Sequence, residues 1–345
     1  VFSGGWTLDA AEAVCSGEGI ERSAILNLLT RLVDKSLVII TDGQRYGMLE
    51  TMRQYGNEKL GEAGCQDWVV KQYLAYYLKM ANVGDEKIRG PEQMEWLKWF
   101  EVERDNLSGA MEMAFGSQRT IETGCELVCA LCWYWGMVGE FPIMKHWLEI
   151  ALPRSAELGK TSTRAKTLFN AAFHCALGFN WLTADEVRSS IDESLELWQA
   201  LGSEFNTEVA KCLTTLGWIQ GAETVDRMGF ANLEQAIQIF KEDNNIWWQA
   251  WAFNLMIGLY LQEKREHDFI QKTLEEEVEL WDRIGDRHNI ANTILDMGRL
   301  ALDQGDFSKA QTYLEQCLQI FREFGSKGYI FQCLESLGDT YRNLK

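Results

Sequence analysis

A glycine that follows a large apolar residue returns along this chain at a nearly fixed interval, and that recurrence limits the fold more sharply than any other feature. It stands at Gly178 (CALG), Gly217 (TTLG), Gly258 (LMIG), Gly298 (LDMG) and Gly338 (ESLG), with spacings of 39, 41, 40 and 40 residues. A second series, Leu197-Trp198, Ile239-Phe240, Leu280-Trp281 and Ile320-Phe321, places its aromatic residues 42, 41 and 40 apart. The two series keep phase: glycine and aromatic are 23 residues apart in the last three units and 20 in the first. A fixed period of this length marks stacked copies of one supersecondary unit, none of which can bury its apolar face alone.

Within a unit the apolar pattern is helical twice over. Ile294, Met297 and Ala301 form one stripe; Ala310, Leu314, Cys317 and Phe321, spaced 4, 3 and 4, form another. Between them, Gln304-Gly305-Asp306-Phe307 offers a glycine for a left-handed C-cap and an aspartate to cap the next helix. Gly202, Gly285 and Gly325 end the second helices in the same way. A glycine inside the first helix costs about 1 kcal/mol against alanine, so its return in every unit implies a neighbour packed too closely for a β-carbon.

These residues resemble the tetratricopeptide repeat, whose small and large positions match Met297-Gly298, Ala310 and the closing aromatic, with a period of about 40 in place of 34. The resemblance covers Thr161 to Lys345 as four units and an opening helix, Ile330 to Asn343, with Thr120 to Gly159 as a divergent earlier unit. The expected fold class is all-α: a tetratricopeptide-like helical-hairpin solenoid preceded by a partial winged helix with a small β-hairpin.

The front end carries that second expectation. Leu8 to Cys15 and Ala24 to Lys35 read as helices, Leu37 to Thr41 and Arg45 to Leu49 as a hairpin around Asp42-Gly43-Gln44, and Glu50 to Leu60 as a further helix. This is the order of a winged helix without its first helix. The stretches FSGGWTLDAAEAVC (2 to 15), LLTRLVDKSLV (28 to 38) and RYGMLETMRQYGNEKL (45 to 60) resemble the winged-helix segment of STAND signal-transduction ATPases, in the bacterial regulator group where a repeat array follows. GPEQMEWLKWFEVERDNLSGAMEMAF (90 to 115) is similar to the helical linker of that group, and IGDRHNIANTILDMGRLALDQGDFSKA (284 to 310) to its repeats. Three parts are thus expected: a winged-helix domain at 1–62, a helical linker at 63–118 and the repeat solenoid at 119–345. Since the chain opens at Val1 directly into organised sequence, it reads as a piece of a longer polypeptide.

The resemblance implies a switch in which an upstream nucleotide-binding domain holds ADP until an inducer on the repeats loosens it, and ATP exchange then drives oligomerisation. ATP and ADP would belong to that upstream domain, with no cofactor in this chain and no catalysis by it. The winged helix of such proteins packs on the nucleotide-binding domain and does not read DNA. Charge agrees with this: residues 1 to 60 carry six basic and eight acidic side chains, and the whole chain has 33 Lys and Arg against 51 Asp and Glu, net −18. Direct nucleic-acid and membrane partners are therefore not expected. Nine unevenly spaced cysteines, no leader and no apolar run near 20 residues point to a cytoplasmic protein with reduced thiols.

Motifs that imitate chemistry have plainer readings. Leu158-Gly159-Lys160-Thr161 ends like a phosphate loop, yet Arg154 stands where the first glycine belongs, so it reads as an inter-repeat turn. Cys125, Cys129 and Cys132 share a helix face but lack the partner pair of a zinc site, so they read as helix packing, with no metal. His146, His174, His267 and His288 are scattered, without a nucleophile or a second ligand at helical spacing.

In tetratricopeptide solenoids the first helix of each hairpin lines the concave side, at positions six and three before and one, four and five after the glycine. That rule, taken from the resemblance, nominates Cys175, Phe179, Thr214, Trp218, Leu255, Leu259, Asn292, Arg299 and Asp303 as ligand-binding residues, with Trp133 added from the divergent unit. The surface so defined begins aromatic and turns polar, the usual composition of a small-molecule site. The function expected is sensing of a small inducer and autoinhibition of the upstream domain. The alternative is a protein-interaction scaffold that takes a peptide or partner helix in the groove. Recurrent Asn or Lys/Arg along the inner helices would favour a peptide, and here Asn292, Lys211 and Arg299 are isolated.

Overall fold

The computed structural model describes residues 1–343 apart from 18, 42–43, 180, 224–226 and 264–265, and leaves the side chains of Phe179, Glu223 and Arg227 undescribed. The described residues hold 17 α-helices and one two-stranded sheet. They cluster into two units, one of residues 1–85 with 95–131 and the other of residues 86–94 with 132–345.

The first unit opens with α1 (Leu8–Cys15), whose N-cap Thr7 accepts from the Ala10 amide, and α2 (Ile25–Asp34). Strands β1 (Ile39–Thr41) and β2 (Arg45–Gly47) pair antiparallel, Ile40 opposite Tyr46. The turn residues 42–43 lie outside the described residues. Helices α3 (Glu50–Glu62), α4 (Gln66–Lys87), α5 (Gln93–Val102) and α6 (Arg104–Phe115) follow. The helix, helix, strand, strand, helix order read from sequence is thus present, with strands shorter than expected. Buried Glu103 ties the unit together. It accepts from Arg45 Nη1 at 2.5 Å, Tyr77 Oη at 2.9 Å and Asn106 Nδ2 at 2.6 Å, so a strand, a long helix and the α5–α6 junction meet on one carboxylate.

The repeat array occupies the second unit. Helix α7 (Ile121–Val138) leads to α8 (Phe141–Ala156); then come α9 (Ser162–His174), a π turn (Cys175–Phe179), α10 (Ala184–Leu201), α11 (Asn206–Glu223), α12 (Arg227–Glu242), α13 (Ile246–Gln262), α14 (His267–Ile284), α15 (Arg287–Asp303), α16 (Phe307–Phe324) and α17 (Lys327–Asn343). Chain neighbours pack on one another throughout α8 to α17. The core follows the logic of a solenoid: Leu295, Leu314, Phe321, Cys333 and Leu337 join α15, α16 and α17, and Ile257, Leu274 and Met297 join α13, α14 and α15. The hairpins α13–α14 and α15–α16 each bury their apolar stripe partly on the first helix of the next. Caps come from the residues that the sequence marked. Gly285 and Gly325 are left-handed C-caps, and Asp306 accepts from the Lys309 amide at the start of α16.

The recurrent glycines do not share one surrounding. On Gly217 a β-carbon would lie 2.8 Å from the Gly229 carbonyl oxygen; on Gly229 it would lie 2.7 Å from the Gly221 amide nitrogen. Helices α11 and α12 thus cross backbone to backbone. Gly298 has the Leu314 side chain 2.9 Å from a β-carbon and Gly258 has the Trp218 ring at 3.0 Å, but Gly338 has open space. Gly178 differs from the expectation: it lies in the π turn with a φ of 102°, and among the described residues nothing lies within 4 Å of a β-carbon placed on it. The first helix of that unit ends at His174 and the π turn takes the chain round, which accounts for the short 20-residue gap to Trp198. Gly229→Ala should destabilise by about 1–3 kcal/mol, because backbone atoms cannot move aside as side chains do. Gly338→Ala should stabilise by up to about 1 kcal/mol. Urea unfolding of the two variants checks both signs.

The phosphate-loop imitation is a helix connection: Gly159 has positive φ and Thr161 caps α9 by accepting from the Arg164 amide. Cys125, Cys129 and Cys132 are buried on α7, and no group of three metal-ligating side chains occurs among the described residues. Among those residues, too, no helix is long and apolar enough to cross a membrane.

Candidate ligand-binding site

Within the second unit lies a cavity of about 480 Å³, and its wall is built almost wholly from alternate helices. Trp133, Gly136 and Met137 come from α7, His174 from α9, Leu177 from the π turn, Trp218 from α11, Trp251, Asn254, Leu255, Gly258 and Leu261 from α13. His288, Asn289, Asn292, Asp296 and Arg299 come from α15, and Gly328, Tyr329 and Gln332 from α17. Gly139 and Phe141, beside the α7–α8 turn, complete it. These are the first helices of successive hairpins, facing one space.

Aromatic packing sets the apolar wall. Trp133 stands edge-on to Trp247 and Trp251, with ring centroids 4.9 and 5.1 Å away, while Trp247 and Trp251 stack within 7° of parallel. The Arg89 guanidinium lies over both Trp133 and Trp247, at 5.7 and 5.1 Å. Trp218 is fixed differently: its Nε1 donates to the Ala176 carbonyl at 2.9 Å, inside the π turn, and its ring meets α13 at Gly258. A π turn next to a cavity is a common functional irregularity.

The polar end depends on the N-terminus of α15. Asp286, wholly buried, caps that helix with both oxygens in use. Oδ1 accepts from Gln93 Nε2 at 2.6 Å and the Asn289 amide at 3.0 Å; Oδ2 accepts from Trp247 Nε1 and Asn289 Nδ2, both at 2.8 Å. One carboxylate thereby anchors both the tryptophan cluster and the helix that supplies His288, Asn292, Asp296 and Arg299. Burial nevertheless raises its pKa, against the four hydrogen bonds. His288 pairs Nε2 with Ser326 Oγ at 3.1 Å and lies edge-on to Tyr329, which stacks on Phe321. Arg299 donates to Gln332 Oε1 at 2.8 Å and lies 3.4 Å from Asp296.

Few full charges survive in this lining. Burial lowers the pKa of His288 to about 3, and burial together with the nearby Arg89 charge does the same to His174, so both rings are neutral at pH 7. Burial raises the pKa of Asp296, with Arg299 opposing. Asp296 and Arg299 remain as one matched pair.

Of the residues nominated by the repeat phase, Trp133, Trp218, Leu255, Asn292 and Arg299 line the cavity. Cys175, Thr214, Leu259 and Asp303 do not. Thr214 is buried, with Oγ1 donating to the Ala210 carbonyl of its own helix; Leu259 fills the space over Gly221; Cys175 is buried in the π turn; Asp303 is exposed at the end of α15. The Phe179 side chain lies outside the described residues. His174, His288, Trp251, Asp296, Tyr329 and Gln332 line the cavity without having been nominated. For His288 a signal existed, since it stands one turn before Asn292 on the same face of α15.

A second cavity, about 670 Å³ and mostly apolar, is lined within residues 1–69. Its Glu50 and Arg53 satisfy each other at 2.7 and 2.8 Å, and among the described residues none of its lining side chains has a buried polar atom without a partner. By contrast, Trp133 Nε1, Trp251 Nε1 and His288 Nδ1 in the repeat cavity are buried polar atoms with none. A buried donor left unpaired costs about 1–3 kcal/mol, which makes the repeat cavity the stronger candidate.

Comparison with known proteins fits the architecture. A stretch of 83 residues is 45% identical to Rv0890c of Mycobacterium tuberculosis strain H37Rv, named as a candidate HTH-type transcriptional regulator; it covers 23% of this chain and 9% of that protein. Another of 86 residues is 38% identical to the uncharacterized protein Rv0894 of the same strain, covering 24% and 22%. The chain thus matches between about a tenth and a fifth of the length of these relatives. Among solved structures, a signal transduction ATPase with numerous domains (STAND) protein with a tetratricopeptide repeat sensor, PH0952 from Pyrococcus horikoshii, superposes with a TM-score of 0.56 at 14% identity, over 99% of this chain and 46% of that one. That likeness is one of fold. Residues 248–323 match the model of the tetratricopeptide repeat family, a stretch that contains the glycines Gly258 and Gly298 and the aromatics Trp281 and Phe321 of the two periodic series.

Proposed function

We propose that this chain is the sensing region of a STAND-type regulator, binding a small effector in the cavity walled by the first helices of its repeats. Effector binding there would bear on an upstream nucleotide-binding domain that exchanges ADP for ATP, with the winged-helix-like residues at the front acting as the contact to that domain. The observation that carries this reading is the convergence: α7, α9, α11, α13, α15 and α17 all contribute to one volume of about 480 Å³, a size suited to a small molecule.

Thermal unfolding of the chain against a metabolite panel tests the proposal. A true effector should raise Tm by about 3 °C or more at saturation. Trp218→Ala, which removes one wall, should weaken binding at least about tenfold. If the panel gives no shift while a peptide or protein binds tightly, the scaffold alternative replaces the sensor.

A further inference from the structure

The repeat cavity has a chemical bias that narrows what it can hold; the argument rests on the sensing role just proposed. Trp133 and Trp251 are each more than nine-tenths buried, both line the cavity, and among the described residues neither indole N–H has a hydrogen-bond partner. An indole N–H can only donate. His288, equally buried, adds Nδ1, whose role follows from how Nε2 shares a proton with Ser326. Among the described lining residues the acidic and basic side chains are Asp296 and Arg299, which face each other at 3.4 Å, and Arg299 is further engaged by Gln332. A ligand of net charge would find no unpaired opposite charge among these lining residues, while its apolar surroundings deeper in, around Trp133 and Trp251, disfavour charge.

We infer that the cavity takes an uncharged small molecule with an apolar body and at least two hydrogen-bond acceptors, carbonyl or ring oxygens, received by the indole N–H groups of Trp133 and Trp251. At the density of a protein interior the cavity leaves room for roughly 350 Å³ of ligand atoms. The rim at Arg299 and Gln332 can meet a further polar group without demanding a charge.

The test uses the full chain and three matched fragment sets built on the same aryl and alkyl bodies: lactones and tertiary amides, carboxylates, and primary amines. Thermal unfolding ranks them, and ¹⁵N-indole spectra, assigned with Trp133→Phe and Trp251→Phe, report the two N–H groups. The neutral set should raise Tm, shift both indole resonances, and lose about five- to tenfold in affinity in each Phe variant, which keeps the ring and removes only the donor. Selective binding of carboxylates or amines overturns the ligand class while leaving a small-molecule sensor in place. Neutral binding that both Phe variants retain at full affinity overturns the role given to the indoles. Absence of binding by all three sets overturns the inference and the sensing role together.

Discussion

Asp286→Ala is expected to lower the unfolding free energy of this chain by about 3–5 kcal/mol, the largest single-residue effect in the repeat unit. The reason is how completely the side chain is used. Two donors meet each oxygen: Gln93 and the Asn289 amide on one, Trp247 and the Asn289 side chain on the other. Removing the carboxylate leaves all four donors buried and strips α15 of its N-cap. Asp286→Asn should recover only part of the loss, because whichever way its amide turns, the NH₂ meets two donors. Urea unfolding of the three proteins gives the order directly, wild type above Asn above Ala. If Ala and wild type unfold at the same urea concentration, the buried anchor is not holding the helix that supplies the polar end of the cavity.

Glu277 should make stability depend on pH in the opposite sense to an ordinary carboxylate. It is fully buried on α14 and accepts from Trp281 Nε1 at 2.8 Å through Oε1. Burial first, and the nearby Asp296 charge second, push its pKa up to about 8; Trp281, Thr293 and Asn254 pull the other way. A carboxyl whose folded pKa lies above its unfolded value near 4.5 holds more protons folded than unfolded between those limits. Its contribution is complete below about pH 4.5 and is lost as pH rises through 8. Glu277→Gln keeps an acceptor for Trp281 and cannot ionise. The difference between variant and wild type should therefore favour the variant increasingly from pH 5 to pH 9, on the order of 3 kcal/mol across that range. The two buried histidines lose stability in the acid direction and cancel in this difference. Parallel stability profiles for the two proteins would show that Glu277 ionises at its ordinary pKa.

The fold was legible because its signal is periodic and local. Glycine and aromatic series, cap residues such as Asp306 and Gly325, and the α1 boundaries at Leu8 and Cys15 follow from short-range chemistry that sequence states directly. Gly178 broke the rule because only the chain's actual path shows that α9 stops early and a π turn takes over. The cavity lining was legible by halves. Trp133, Trp218, Leu255, Asn292 and Arg299 followed from repeat phase, yet Thr214 and Leu259 share that phase and are consumed by packing within and between hairpins. Gln332 stands six residues before Gly338 and His288 one turn before Asn292, so repeat phase reaches both, whereas Asp296 and Tyr329 line the cavity from positions that the phase rule does not name. Asp286 reads in sequence as an ordinary N-cap; its partners Gln93 and Trp247, 193 and 39 residues away, do not.

Hydrogen–deuterium exchange with and without a fragment that raises Tm is the most direct measure of whether alternate helices wall a common binding space. Protection should fall on peptides containing Trp133, Trp218, Trp251 to Gly258, His288 to Arg299 and Gly328 to Gln332, and leave α10, α12, α14 and α16 unchanged. Protection spread over those second helices, or confined to residues 1–69, would contradict it.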